Sequence, residues 1–128
     1  MDEQNKVIIY TASDGQTKID VKLEDETLWL TQAQMCELYQ TSRTNVVEHI
    51  KHIYEEGELD KEATCRNFRQ VREEGGRKVE REMTFYNLDM IIALGYRVRS
   101  IIATRFRQWA TLRLKEYMVK GFTLDDER

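Results

Sequence analysis

A chain of 128 residues, 41% apolar and 34% charged, has the size and balance of one soluble globular domain over residues 1–128, long enough to bury a real core. Cys36 and Cys65 lie outside any CxxC spacing, which argues against a disulfide framework or zinc ribbon and for a reducing cytoplasm; no apolar run approaches the roughly 20 residues that cross a membrane, and MDEQNK lacks the basic and apolar regions of a secretory signal. The net charge of −3 conceals a gradient, since residues 1–60 carry 5 basic and 13 acidic side chains, residues 61–86 carry 7 and 5, and residues 87–128 carry 8 and 5; local field, not the total, decides whether a polyanion can bind.

In KVIIYTASDGQTKIDVKLED, Ile19, Val21 and Leu23 alternate with Lys18, Asp20 and Lys22, the period-2 pattern of a strand with one buried face. With Asp14-Gly15 as the turn, the segment predicts an N-terminal β-hairpin. Thr27 to Leu30 (TLWL) predicts a third short strand that buries Trp29. Thr31 followed by Gln34 fits a capping box. It opens a first helix with apolar positions at Ala33, Met35, Cys36, Leu38 and Tyr39, expected to fail near Gln40. Ser42 caps a second helix to about Glu56, ended by Gly57. Val46, Val47, Ile50, Ile53 and Tyr54 form its apolar stripe, which leaves Arg43, Thr44, Asn45, Glu48, Lys51 and His52 largely outside.

Two helices joined by a turn of about 3–4 residues predict a helix-turn-helix over about residues 31–56, its second helix presenting a polar N-terminal face to the major groove of double-stranded DNA. The residue types suit that task. Arg43 matches guanine, Asn45 adenine and Thr44 a thymine methyl, while Lys51 reaches phosphate. Gln40 stands where the usual pattern has glycine, and Thr41 where it has an aliphatic. The competing reading is an ordinary helical hairpin with a solvated polar face.

CRNFRQVREEGGRKVEREMTFY then predicts a hairpin about Gly75-Gly76. In that register Glu74 faces Arg77, Glu73 faces Lys78, Arg69 faces Glu82 and Phe68 faces Met83, pairing opposite charges and apolar partners. Val79, Met83 and Phe85 are expected on the core. A hairpin after a helix-turn-helix is the organisation of a winged helix, and Arg69, Arg72, Arg77, Lys78 and Arg81 give this wing (about 66–86) its phosphate contacts. The competing reading is an edge hairpin kept soluble by alternating charge.

The C-terminal third reads as helical. Asn87 caps LDMIIAL, with Gly95 as its C-cap. Ser100 caps a longer helix to about Lys120, closed by Gly121, with Ile102, Phe106, Trp109, Ala110, Leu114 and Tyr117 as its apolar stripe. Leu112 and Met118 leave room for a homodimer contact. The terminal LDDER reads as the start of a linker, which makes the chain the N-terminal part of a longer protein.

No catalytic pattern emerges. His49 and His52 lie i, i+3 on one helix without a third ligand at compelling spacing, so no metal is expected. GxSxG, HExxH and P-loop patterns do not occur, and no cofactor is implied.

The segments DGQTKIDVKLEDETLWLTQAQMCELY, HIKHIYEEGELD, GGRKVEREMTFYNLDMIIALGYRVRS and FRQWATLRLKEYMVKGF together resemble the N-terminal region of the bacterial RhuM family of virulence-associated proteins, from about Ile8 to Phe122. The resemblance implies a DNA-binding protein of pathogenicity islands, similar to the N-terminal domains of phage antirepressors, with a further C-terminal region. Where relatives carry a second arginine in the recognition helix, RTNVVEH has Glu48. The expectation is thus an α+β, winged helix-turn-helix-like domain with an N-terminal β-hairpin and C-terminal helices. Its expected function is non-catalytic DNA binding in transcription regulation. The alternatives are a protein-interaction or oligomerisation module and a targeting domain for an absent catalytic region.

Overall fold

A computed structural model describes the backbone of residues 6–126 and the side chains of residues 6–118. The chain is α+β. In order it forms β1 (Lys6–Thr11), β2 (Lys18–Glu24), β3 (Thr27–Leu30), α1 (Gln32–Tyr39), α2 (Arg43–Glu55), the short α3 (Lys61–Thr64), β4 (Cys65–Glu74), β5 (Arg77–Asn87), α4 (Leu88–Val98) and α5 (Ser100–Asp126). The strands make one antiparallel sheet in the order β1-β2-β3-β5-β4.

Local chemistry explains most of the boundaries. The β1–β2 turn is held by Asp14, whose Oδ1 accepts from the amides of Gln16 and Thr17 and whose Oδ2 accepts from the Thr17 hydroxyl. Those bonds favour the ionised carboxylate and lower its pKa. Thr31 and Gln34 form the predicted capping box at the start of α1. Gln40 ends α1 in the left-handed region at φ 52° and Ser42 caps α2 through the Asn45 amide. At the second hairpin Gly75 and Gly76 both take positive φ, and the register pairs every residue as the sequence predicts, Glu73 with Lys78 and Arg69 with Glu82 among them. The four-residue α3 has no counterpart in the sequence reading.

The helices cover one face of the sheet. Ile19, Val21, Leu23, Leu28, Leu30 and Tyr86 point into a core completed by Leu38, Tyr39, Val46, Ile53, Ile91, Leu94 and Phe106. Tyr10 packs edge-on against Phe106 and Trp109, which seats α5. The Tyr39 hydroxyl donates to the Ile91 carbonyl at 2.6 Å, and burial raises its phenol pKa. Arg97 of α4 bonds Glu56 at 2.6 Å and Glu58 at 3.1 Å, tying down the end of α2.

The opposite, outer face carries a smaller cluster. Trp29 (2% exposed), Phe68 and Phe85 meet edge to face at 5.2 and 5.3 Å. The Trp29 indole donates to the Glu24 carbonyl, Arg66 lies over Trp29 and bonds Asp25, and Lys22 lies over Phe68. At the sheet edge Val7 and Ile9 are 56% and 58% exposed.

Several expectations are corrected. Gly95 does not cap α4. It lies inside that helix because a Cβ there would stand 2.3 Å from the Tyr39 hydroxyl and 2.6 Å from the Ala103 Cβ. Likewise α5 passes through Gly121 to Asp126, so the closure at Lys120–Gly121 falls, while Glu127 and Arg128 lie outside the described residues. Val47 is 41% exposed rather than core, since α2 meets α1 and α4 along Val46, Ile50 and Ile53. Val79, Met83 and Phe85 share a face, but not that of the main core. Tyr86 pairs with Leu30 on the helix-covered side, so by strand alternation Phe85 points outward.

Candidate nucleic-acid interface

The corner between α1 and α2 spans Gln40 to Ser42. The Thr41 amide bonds the Cys36 carbonyl, and the Thr41 hydroxyl accepts from the Asn45 side-chain amide at 2.8 Å. Thr41, unusual for an aliphatic position, is thereby explained, since it braces the first turn of α2. Asn45 is half-buried, with one N–H of its amide committed to this brace. Arg43, Thr44, Val47, Glu48 and Lys51 form an exposed face beside it.

Asn45→Ala is expected to cost about 1 kcal/mol of stability, the usual worth of one such hydrogen bond. Thr41→Val should cost a similar amount, and the double variant little more than either in urea denaturation. Full additivity would show that the two side chains do not depend on each other.

The second element is the β4–β5 hairpin. Alternation along each strand divides its charges. Arg69, Glu73, Lys78, Glu80 and Glu82 share the side of Tyr86, turned towards the helices, and Arg69 pairs with Glu80 at 3.7 Å. Arg66, Arg72, Glu74, Arg77 and Arg81 occupy the outer side. All five of the wing residues predicted to contact DNA (Arg69, Arg72, Arg77, Lys78 and Arg81) are exposed, but they do not form one surface.

Where β3 stops, the N-terminus of α1 plugs the gap between β2 and β5, leaving a cleft on each side. Arg43 lines the helix-side cleft, of about 380 Å³, with Gln32, Glu82, Thr84 and Tyr86. Gln32 donates to the Tyr86 hydroxyl on its wall. The outer cleft, of about 390 Å³, is lined by Asp20, Lys22, Gln34, Gln70, Arg72 and Phe85. The start of α2 and the base of the hairpin are therefore neighbours.

Other reactive groups do not converge on these clefts. Among the described residues no group of three His, Cys, Asp or Glu side chains could hold a metal ion. His52 faces Glu48 at 3.7 Å, while the Nδ1 of His49 is buried without a hydrogen-bond partner among the described residues. Burial pushes the Cys36 and Cys65 thiols up, which keeps both protonated near neutral pH. No helix of the described residues is long and apolar enough to cross a membrane.

Residues 63–128 match the Virulence protein RhuM family. The chain belongs to the RhuM family. The matched segment takes in the end of α3, the whole β4–β5 hairpin, α4 and α5, while the α1–α2 corner precedes it. No curated protein and no solved structure matches the chain. In this RhuM chain two residues of the candidate surfaces carry little signal in the sequence. Val47 fits the core stripe of α2, and only its position one residue beyond Val46, at the stripe's margin, marks it as exposed. Arg66 stands opposite Phe85 in the hairpin register, which places it over the aromatic cluster.

Proposed function

We propose that this RhuM-family chain binds double-stranded DNA without catalysing a reaction on it, as the DNA-contacting part of a regulatory protein. In this reading the chain is a single winged helix-turn-helix-like domain, with α2 entering the major groove and the arginine-rich hairpin flanking it. The observation that carries the reading is the exposed face of Arg43, Thr44, Val47 and Lys51 on the opening turns of a braced helix, with Arg43 beside the base of the hairpin. Each side chain has a complementary feature on DNA: guanine for Arg43, a thymine methyl for Thr44 or Val47, and phosphate for Lys51. Glu48 on the same face opposes phosphate and suits the amino group of cytosine.

A salt titration tests the proposal. Duplex affinity should fall linearly in log-log form between roughly 50 and 200 mM salt, with a slope near −0.9 for each phosphate contact. Absence of duplex binding at the lowest salt would remove it.

A second reading, an interaction or oligomerisation module, draws on the exposed apolar side chains of Val7 and Ile9 on the β1 edge and of Leu112 and Met118 on α5. It is favoured if the protein self-associates with rising concentration while ignoring DNA.

A further inference from the structure

We infer that the hairpin meets nucleic-acid phosphates through its outer face, the one turned away from α2, and that Arg72 and Arg77 make the contacts. The inference rests on the DNA-binding reading above and assigns a surface within it.

Charge separates the two sides of the hairpin. The outer side sets four arginines (Arg66, Arg72, Arg77 and Arg81) against Glu74 alone, whereas the helix side sets Arg69 and Lys78 against Glu73, Glu80 and Glu82. A phosphate approaching the helix side meets a net negative field, and Arg69 is already paired with Glu80 there. The outer side of the hairpin is positive, whereas on β2 the same side alternates Lys18 and Lys22 with Asp20 and Glu24, Lys22 pairing with Glu24 at 3.5 Å, so the surplus of positive charge belongs to the hairpin.

The outer arginines differ in what they already do. Arg81 grips Glu74 through two bonds of 2.9 and 2.8 Å, which holds it in place and neutralises the one acid of that face. Arg66 is held over the Trp29 ring and bonded to Asp25. That leaves Arg72, whose guanidinium donates to the Met83 sulfur at 3.7 Å and lies within the field of Glu74, and Arg77 at the tip; neither makes an ion pair among the described residues. Both have donors to offer a phosphate without first breaking an internal salt bridge. Arg72 lines the outer cleft with Gln70, Lys22 and Asp20, and because Lys22 pairs with Glu24, Arg72 is the cation there that a sugar-phosphate strand would meet, beside the Gln70 amide.

Two double variants that remove equal charge decide the matter, each titrated with salt on a random-sequence duplex. Arg72→Ala with Arg77→Ala should lower the slope by nearly two units, about 0.9 for each lost contact. Arg69→Ala with Lys78→Ala should lower it by less than half as much. Arg72→Lys with Arg77→Lys should restore the slope, which separates lost charge from a disturbed hairpin. Equal losses from the two alanine pairs, or a larger loss from the helix-side pair, would overturn the inference and leave the DNA-binding reading standing. An unmodified chain that binds no duplex would overturn both.

Discussion

Gly95→Ala is expected to destabilise the fold by about 2–3 kcal/mol, the upper part of the range for an overpacked core, although alanine favours a helix interior by about 1 kcal/mol. The direction is set by what surrounds the added methyl. It would sit 2.3 and 2.5 Å from the hydroxyl and Cζ of Tyr39, and 2.6 Å from the Ala103 Cβ. Neither neighbour yields cheaply. Tyr39 is fully buried with its hydroxyl bonded to the Ile91 carbonyl, and the Ala103 Cβ moves only with the backbone of α5. Relief therefore means sliding α4 away from α1 or α5. A thermal melt should show the midpoint falling on the order of 10 °C. An unchanged or raised midpoint would mean that the three helices do not approach as closely as described.

Arg43→Ala is expected to weaken binding to a preferred duplex by about 1–3 kcal/mol, roughly 5-fold to 150-fold, with a much smaller loss on random sequence. Arg43 occupies the first helical position of α2 and is exposed, and although Glu82 lines the same helix-side cleft, Arg43 makes no ion pair with it. A bidentate bond to guanine uses two coplanar N–H donors of the guanidinium, which lysine cannot reproduce, so Arg43→Lys should lose most of the discrimination while keeping the salt slope. The preferred site comes from selection out of a random library. A selection that returns no motif, or a loss equal on both duplexes, would reduce α2 to a non-specific contact.

The elements legible in the sequence are those marked by short-range chemistry. Gly75-Gly76 punctuates the second hairpin, and the charge pairs on either side of it allow only one comfortable register, which is the one observed. Thr31, Gln34, Ser42 and Asn87 announce helix starts through bonds made within three residues of themselves. What could not be read depends on distant parts of the chain. Gly95 carries the same local signature whether it ends a helix or admits a tyrosine from another one. The alternation of β5 shows two faces, but only the pairing of Tyr86 with Leu30 decides which of them the helices cover. The candidate surface suffered from the same ambiguity. Its arginines could be named from the sequence and divided by alternation, yet which of them face the helices follows from that one pairing. Asn45 looked like a free amide until Thr41 was brought within reach of it.

The strand pairing that joins β3 to β5 is narrow, two residue pairs at Trp29–Asn87 and Leu30–Tyr86, and the segment matched to the RhuM family lies wholly on one side of it. The matched stretch is therefore not a unit that would keep its packing if cut out alone. Cut at residue 63, it would keep the β4–β5 hairpin and two helices but surrender the partners of both. Tyr86 would lose Leu30, Phe85 and Phe68 would lose Trp29, and the groove at Gly95 would lose the ring that fills it. Grafting this segment between proteins requires carrying β3 and α1 with it, or a host that supplies an equivalent strand and an equivalent tyrosine.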